Sequence, residues 1–160
     1  MLRTNLDAAA ANPGRNFFRY WLPALAWAAL IFIFSSGAFS AAQTGHILRP
    51  LLEWLFGTIS GSRFEFIHFL VRKAAHLTVY AALSALWFRA RRGPQTGWQS
   101  SWALFALLLS MLVAGADEVH QSFVPSRTGT PWDVLLDSFG ALLAQLLIAR
   151  RARRGTHSPA

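Results

Sequence analysis

Residues 117–140 read DEVHQSFVPSRTGTPWDVLLDSFG. Asp117, Glu118, His120, Gln121, Arg127, Asp133 and Asp137 crowd into this stretch between two long apolar segments. Charge inside an apolar segment is expensive and is seldom left without a partner. Candidate partners lie upstream in 71–80, VRKAAHLTVY, which sets Arg72, Lys73, His76 and Tyr80 inside another apolar block. The two stretches are therefore expected to meet inside a membrane and to form the working site of the chain.

The composition agrees with a membrane setting. Of 160 residues, 54% are hydrophobic and 14% charged, with seven Trp, an apolar balance unusual for a soluble domain of this size. A soluble helical protein places its apolar residues in stripes, whereas here they come in near-continuous blocks. The net charge of +8 does not point to nucleic acid, because the basic residues flank the blocks instead of alternating with aromatics on one face. The absence of cysteine excludes disulfides, thiolate metal sites and a cysteine nucleophile.

Taken in order, residues 1–19 carry Arg3, Arg15 and Arg19 with the helix breakers Asn12, Pro13 and Gly14, and are expected to be a disordered cytoplasmic lead. Block one, 20–39, has no charged residue. As a helix it rises about 30 Å, which matches the hydrocarbon thickness, and it exceeds the 7 to 15 apolar residues usual in a signal peptide. A mixed connection follows over 40–65. Within it 47–56 places Leu48, Leu51, Leu52 and Leu55 at helical spacing, the pattern of a short amphipathic helix lying on the membrane surface or packed as an ordinary loop helix. Block two is 66–88, block three 101–116 and block four 131–149. The expected fold is thus all-α, an integral membrane bundle of four transmembrane helices over 20–149, ended by a basic tail over 150–160.

Lys and Arg in short loops are retained on the cytoplasmic side. The amino end, the loop after block two and the tail hold three, three and four of them, while Arg49, Arg63 and Arg127 lie on the other side. Both termini are expected to be cytoplasmic in the plasma membrane, and 40–65 and 117–130 to face outward. Blocks two and four then enter from the same side. Lys73 lies about 10 Å, His76 about 15 Å and Asp137 about 9 Å down at 1.5 Å per residue. Lys73 is expected to pair with Asp137 or Glu118, and Arg72 to snorkel outward. Lys73, His76 and Tyr80 share one helix face, as do Asp133, Asp137 and Gly140. Asp117 is expected to share a face with His120 and Gln121. Thr130, Pro131 and Asp133 make a good helix start, with Thr130 as N-cap, so Asp133 has a capping reading beside its functional one. Gly140 and Ala144 form a small-xxx-small pair suited to close helix approach, and the cytoplasmic half is expected to be dry.

The ordered set KAAH with Tyr80 four residues on, then DEVHQSFVPSR, then DVLLDSFGALLA, resembles the VanZ-like membrane protein family over most of the chain. Phe34, Ser35 and Ser36 also resemble the Ser-rich end of that family's first helix. The chain departs from the family where Asp137 replaces a frequent Asn and Ser126 a frequent Gly. The resemblance implies an envelope role, linked through the family's name to resistance against the glycopeptide teicoplanin, and does not imply a reaction.

Three functions fit these residues. An outward polar site of Lys73, His76, Tyr80, Asp117, Glu118, Gln121, Arg127, Asp133 and Asp137 suits an amphiphilic ligand, with Lys73 and Arg127 on its phosphate or carboxylate and its tail in lipid. A hydrolase or transferase would draw a general base or a divalent metal from His76, Glu118, His120, Asp133 and Asp137. HExxH, GxSxG and P-loop motifs are all missing, so no reaction, no metal ligand set and no cofactor is assigned. A structural role, in which the polar cluster only fixes helix register for a membrane partner, is the third. The bilayer and an amphiphilic small molecule are the expected partners, with oligomeric state open.

Overall fold

The computed structural model describes residues 13–36, 40–127 and 129–155. Every regular element among them is helical. Helix α1 covers residues 13–34 and combines α-helical Pro13–Asn16, a π-helical stretch Phe17–Trp21 and α-helical Leu22–Phe34. Pro13 opens it, at the position where a missing amide donor costs nothing, so residues 13–19 are helical and not a disordered lead. The π stretch has a cause in Pro23, which has no amide donor and would crowd the Arg19 carbonyl. The chain widens there, and the Leu22 amide donates to the Phe17 carbonyl five residues back. Residues 1–12 of the expected lead, and 37–39 of the expected first block, lie outside the described residues.

Helix α2, Ala41–Phe56, starts earlier than the amphipathic segment expected over 47–56, capped by extended Ser40 and closed by Gly57 at φ 79°. It lies lightly against α3, Gly61–Arg92, through Thr44 Oγ1 and His68 Nε2 at 3.0 Å. Its apolar face is left open, with Ile47 77% and Trp54 80% exposed. Helix α4 is Ser100–Ser122 and α5 is Pro131–Gly155. The basic residues from Arg150 to Arg154 therefore extend α5, where they complement the negative helix end, and 156–160 lie outside the described residues.

Residues Gly14–Phe34, Ser100–Ser122 and Pro131–Arg154 are long and apolar enough to cross a membrane. Helix α3 is the longest of all, yet Arg72 and Lys73 in its first half and the basic cluster Arg89, Arg91 and Arg92 at its end lower its apolar character. Its neighbours define its direction. Trp27 Nε1 donates to the Val79 carbonyl at 3.0 Å while Trp21 meets Trp87 at 6.3 Å between ring centroids, so α1 runs antiparallel to α3. Helix α4 does the same, with Trp102 against Phe88 and Asp117 against Tyr80. Helix α5 runs parallel to α3, since Lys73 meets Asp133, His76 meets Asp137 and Ser84 meets Gln145.

The core between these helices mixes large side chains, Tyr80, Leu83, Trp87, Phe88 and Trp102, with alanines. Ala24, Ala106, Ala114 and Ala141 have no exposed surface, and large side chains such as Leu104, Leu108, Leu112 and Leu147 point outward. Small residues at the helix contacts with large apolar side chains pointing outward suit a bundle facing lipid. The α3–α5 contact is the most extensive of the helix pairs. A Cβ placed on Gly140 would stand 2.3 Å from the Leu77 carbonyl oxygen, so the expected small-residue approach exists and is made by Gly140 against backbone.

Candidate functional site

Because α3 and α5 run in parallel, residues a turn apart on one helix face residues a turn apart on the other. Lys73 forms an ion pair with Asp133, and one turn deeper His76 Nδ1 stands 3.2 and 3.4 Å from the two oxygens of Asp137. The sequence expectation of Lys73 with Asp137 or Glu118 is thus corrected by one helical turn. Asp133, one turn closer to the start of α5 than Asp137, lies level with the ammonium, and His76 occupies the level below.

Asp133 also keeps the role of helix start. The Thr130 hydroxyl accepts the Asp133 amide at 3.3 Å and donates to Asp133 Oδ2 at 3.1 Å, which is N-capping with a reciprocal side-chain bond. The capping and ion-pair readings of Asp133 therefore both hold. The Thr130 amide in turn donates to Glu118 Oε2 at 2.7 Å, tying the start of α5 to α4. Gly129 permits this approach, since a Cβ there would fall 2.4 Å from the Glu118 carbonyl oxygen.

On α4, Asp117 accepts from Tyr80 at 3.2 Å and from Gln121 at 3.0 Å, both at Oδ2. Tyr80 therefore turns to α4, although it shares a face with Lys73 and His76. His120 departs from the expected cluster: its ring lies edge-on to Phe32 of α1 at 6.0 Å. Arg127 donates to the Phe34 carbonyl at 2.6 Å and to that of Ser36 at 3.2 Å, where a cation at a helix C-terminus is favoured.

The centre of the cluster is buried. Asp137 has 0% exposure, Asp117 2% and Glu118 6%. Ligating atoms of His76, Glu118 and Asp137 lie within 4.8 Å of one another. Two ionised carboxylates at that separation repel by about 3 kcal/mol at an effective dielectric of 20. Asp117 Oδ1 and Glu118 Oε1 are buried without a hydrogen-bond partner among the described residues, a state that costs about 1 to 3 kcal/mol per group and more for charged groups.

Two cavities meet at this cluster. One, of about 500 Å³, lies between α1, α2, α3 and the end of α4 and is walled largely by Ile31, Phe34, Ile47, Leu48, Leu51, Val71 and Val79. The other, of about 270 Å³, is polar and bounded by Lys73, Ser126, Thr130 and Asp133. Arg72, His76, Gln121 and Arg127 line both. Arg72, expected to snorkel away, thus stands on the shared wall. Its signal in the sequence was adjacency to Lys73, which is ambiguous because neighbours on a helix point about 100° apart.

One polar contact lies where the sequence predicts a dry half. Gln145 Nε2 donates to Ser84 Oγ at 2.8 Å and to the Ser84 carbonyl at 3.1 Å, fully inside the bundle. A lone Gln in block four and a lone Ser in block two were its only trace, since neither carries charge.

No curated protein and no solved structure matches the chain. A family model, VanZ/LLP1, matches residues 20–152, a span that takes in α2 to α4, α1 from Tyr20 on, α5 up to Ala152, and every residue of the cluster. The chain belongs to the VanZ/LLP1 family.

Proposed function

We propose that this is a four-span protein of the plasma membrane that binds an amphiphile with an anionic head at a site opening toward the outer face. The observation that carries the reading is the joined pair of cavities, an apolar chamber and a polar one sharing the wall of Arg72, His76, Gln121 and Arg127. An acyl chain fits the first, and a phosphate or carboxylate fits the second, where guanidinium groups offer charge-assisted hydrogen bonds. Lipids, lipid-linked wall precursors and glycopeptide-type antibiotics with a fatty tail all share that chemistry. The family's link to teicoplanin resistance enters this proposal through the same property.

Several features support the placement. Helix α3 packs against each of the three apolar helices, and its Lys73 is partnered, which lowers the cost of carrying charge into the bilayer. The distribution of Lys and Arg favours cytoplasmic termini. The exposed Ile47, Leu51 and Trp54 face of α2 suits the membrane surface beside the outer mouth of the apolar chamber.

The test is native mass spectrometry of the protein released from mild detergent. The wild type is expected to retain one anionic lipid per chain. Ala75→Phe, which fills the apolar chamber, and Arg72→Gln, which removes a cation from the shared wall, are expected to lose it while remaining folded. Equal lipid retention in both folded variants would refute the reading.

A further inference from the structure

We propose that His76, Glu118 and Asp137 form a binding site for a single first-row divalent cation, such as Mn²⁺ or Zn²⁺. The inference stands on the geometry of these three residues and does not depend on the amphiphile reading.

Three helices each supply one ligand, His76 from α3, Glu118 from α4 and Asp137 from α5, with ligating atoms within 4.8 Å of one another. The His76 Nδ1 distances of 3.2 and 3.4 Å to the Asp137 oxygens are long for a charge-assisted hydrogen bond, which runs at about 2.7 to 2.9 Å. For this one pair they equal the spacing of two neighbouring ligands each about 2.0 to 2.1 Å from a metal, which stand about 3.3 Å apart, and the Glu118 carboxylate lies within 4.8 Å to close in as the third. One imidazole nitrogen with two carboxylates is a donor set that suits borderline cations more than Ca²⁺ or Mg²⁺, which prefer oxygen alone.

A second observation points to a missing partner. Glu118 is 6% exposed, and its Oε1 has no hydrogen-bond partner among the described residues, while Oε2 is held by the Thr130 amide. The carboxylate is therefore anchored on one oxygen and carries a second, buried and unsatisfied one, on a side chain whose ligating atom lies within 4.8 Å of those of His76 and Asp137. A cation there would satisfy that oxygen and offset the repulsion between Glu118 and Asp137. The Thr130 amide would then act as the outer partner that orients a metal ligand. Three protein ligands leave a coordination position open. His76 lines both cavities, which gives the ion a path in and gives the open position access to an anionic group.

The experiment is to strip the purified protein with a chelator in mild detergent and titrate it with Mn²⁺, reading bound ion by electron paramagnetic resonance. The wild type is expected to bind one Mn²⁺ per chain and to show nitrogen hyperfine coupling from one imidazole. Glu118→Gln and Asp137→Asn are expected to weaken binding at least tenfold, the smallest loss that even an outer-shell change usually brings. Glu53→Gln, which removes an exposed carboxylate on α2 away from the cluster, is expected to leave it within about twofold. Absence of stoichiometric binding to folded wild type, bound Mn²⁺ without nitrogen coupling, or undiminished binding to a folded Glu118→Gln, Asp137→Asn double variant would each overturn the proposal. Should the variants fail to fold, the wild-type stoichiometry and nitrogen coupling alone decide it.

Discussion

Gly140→Ala tests the helix contact on which the site depends. The added Cβ would lie 2.3 Å from the Leu77 carbonyl oxygen, 3.0 Å from its carbon and 3.1 Å from its Cα. Relief requires α3 and α5 to separate by about 1 Å, because the obstacle is backbone and cannot rotate away. Overpacking of this kind costs about 1 to 3 kcal/mol, and a backbone obstacle places it at the upper end. Alanine returns about 1 kcal/mol of helix propensity, which leaves a net loss of about 2 kcal/mol. For a chain of this size that lowers Tm by roughly 4 to 8 °C. Thermal unfolding in mild detergent, followed by circular dichroism, measures it. A variant that melts at or above wild type would refute the close contact, and with it the register that sets Lys73 against Asp133 and His76 against Asp137.

Tyr80→Phe removes one of the two donors to buried Asp117 Oδ2 and is expected to lower stability by about 1 to 3 kcal/mol, read by the same melting assay; an unchanged Tm would show the bond to be idle. Lys73→Met alone strands Asp133, so it is expected to lose folded yield that Lys73→Met with Asp133→Asn partly recovers. The combination with Asp137→Asn is expected to give no such recovery, and a cycle with the opposite outcome would reassign the pair. The chain has no cysteine, so single cysteines report topology directly. Thr58→Cys is expected to react with a membrane-impermeant maleimide on intact cells and Gln95→Cys only after permeabilisation, and reversed reactivity would invert the orientation.

How far the sequence carries depends on which physical signal each feature leaves. The apolar blocks announce helices because length and hydropathy are local, and Thr130, Pro131 and Asp133 announce the start of α5 because capping is local too. The meeting of 71–80 with 117–140 was legible because charge in an apolar block demands a partner. The partner's identity was not legible, since whether Lys73 finds Asp133 or Asp137 depends on a one-turn register between two helices, and that is set by Gly140 against Leu77. The turn of Tyr80 toward Asp117 and of His120 toward Phe32 depends on which helix lies alongside, information that face periodicity does not contain. The early start of α1 was masked by Asn12, Pro13 and Gly14, which break helices in their interior but open one readily at its first turn.

The most direct measurement of the central claim is the labelling rate of Ser126→Cys, a position on the polar cavity, in right-side-out membrane vesicles treated with an impermeant maleimide. An outward-facing site for an anionic amphiphile predicts labelling from outside that dodecyl phosphate slows and the uncharged dodecyl maltoside does not. Labelling confined to the inner face, or an outer rate that dodecyl phosphate leaves unchanged, would contradict it.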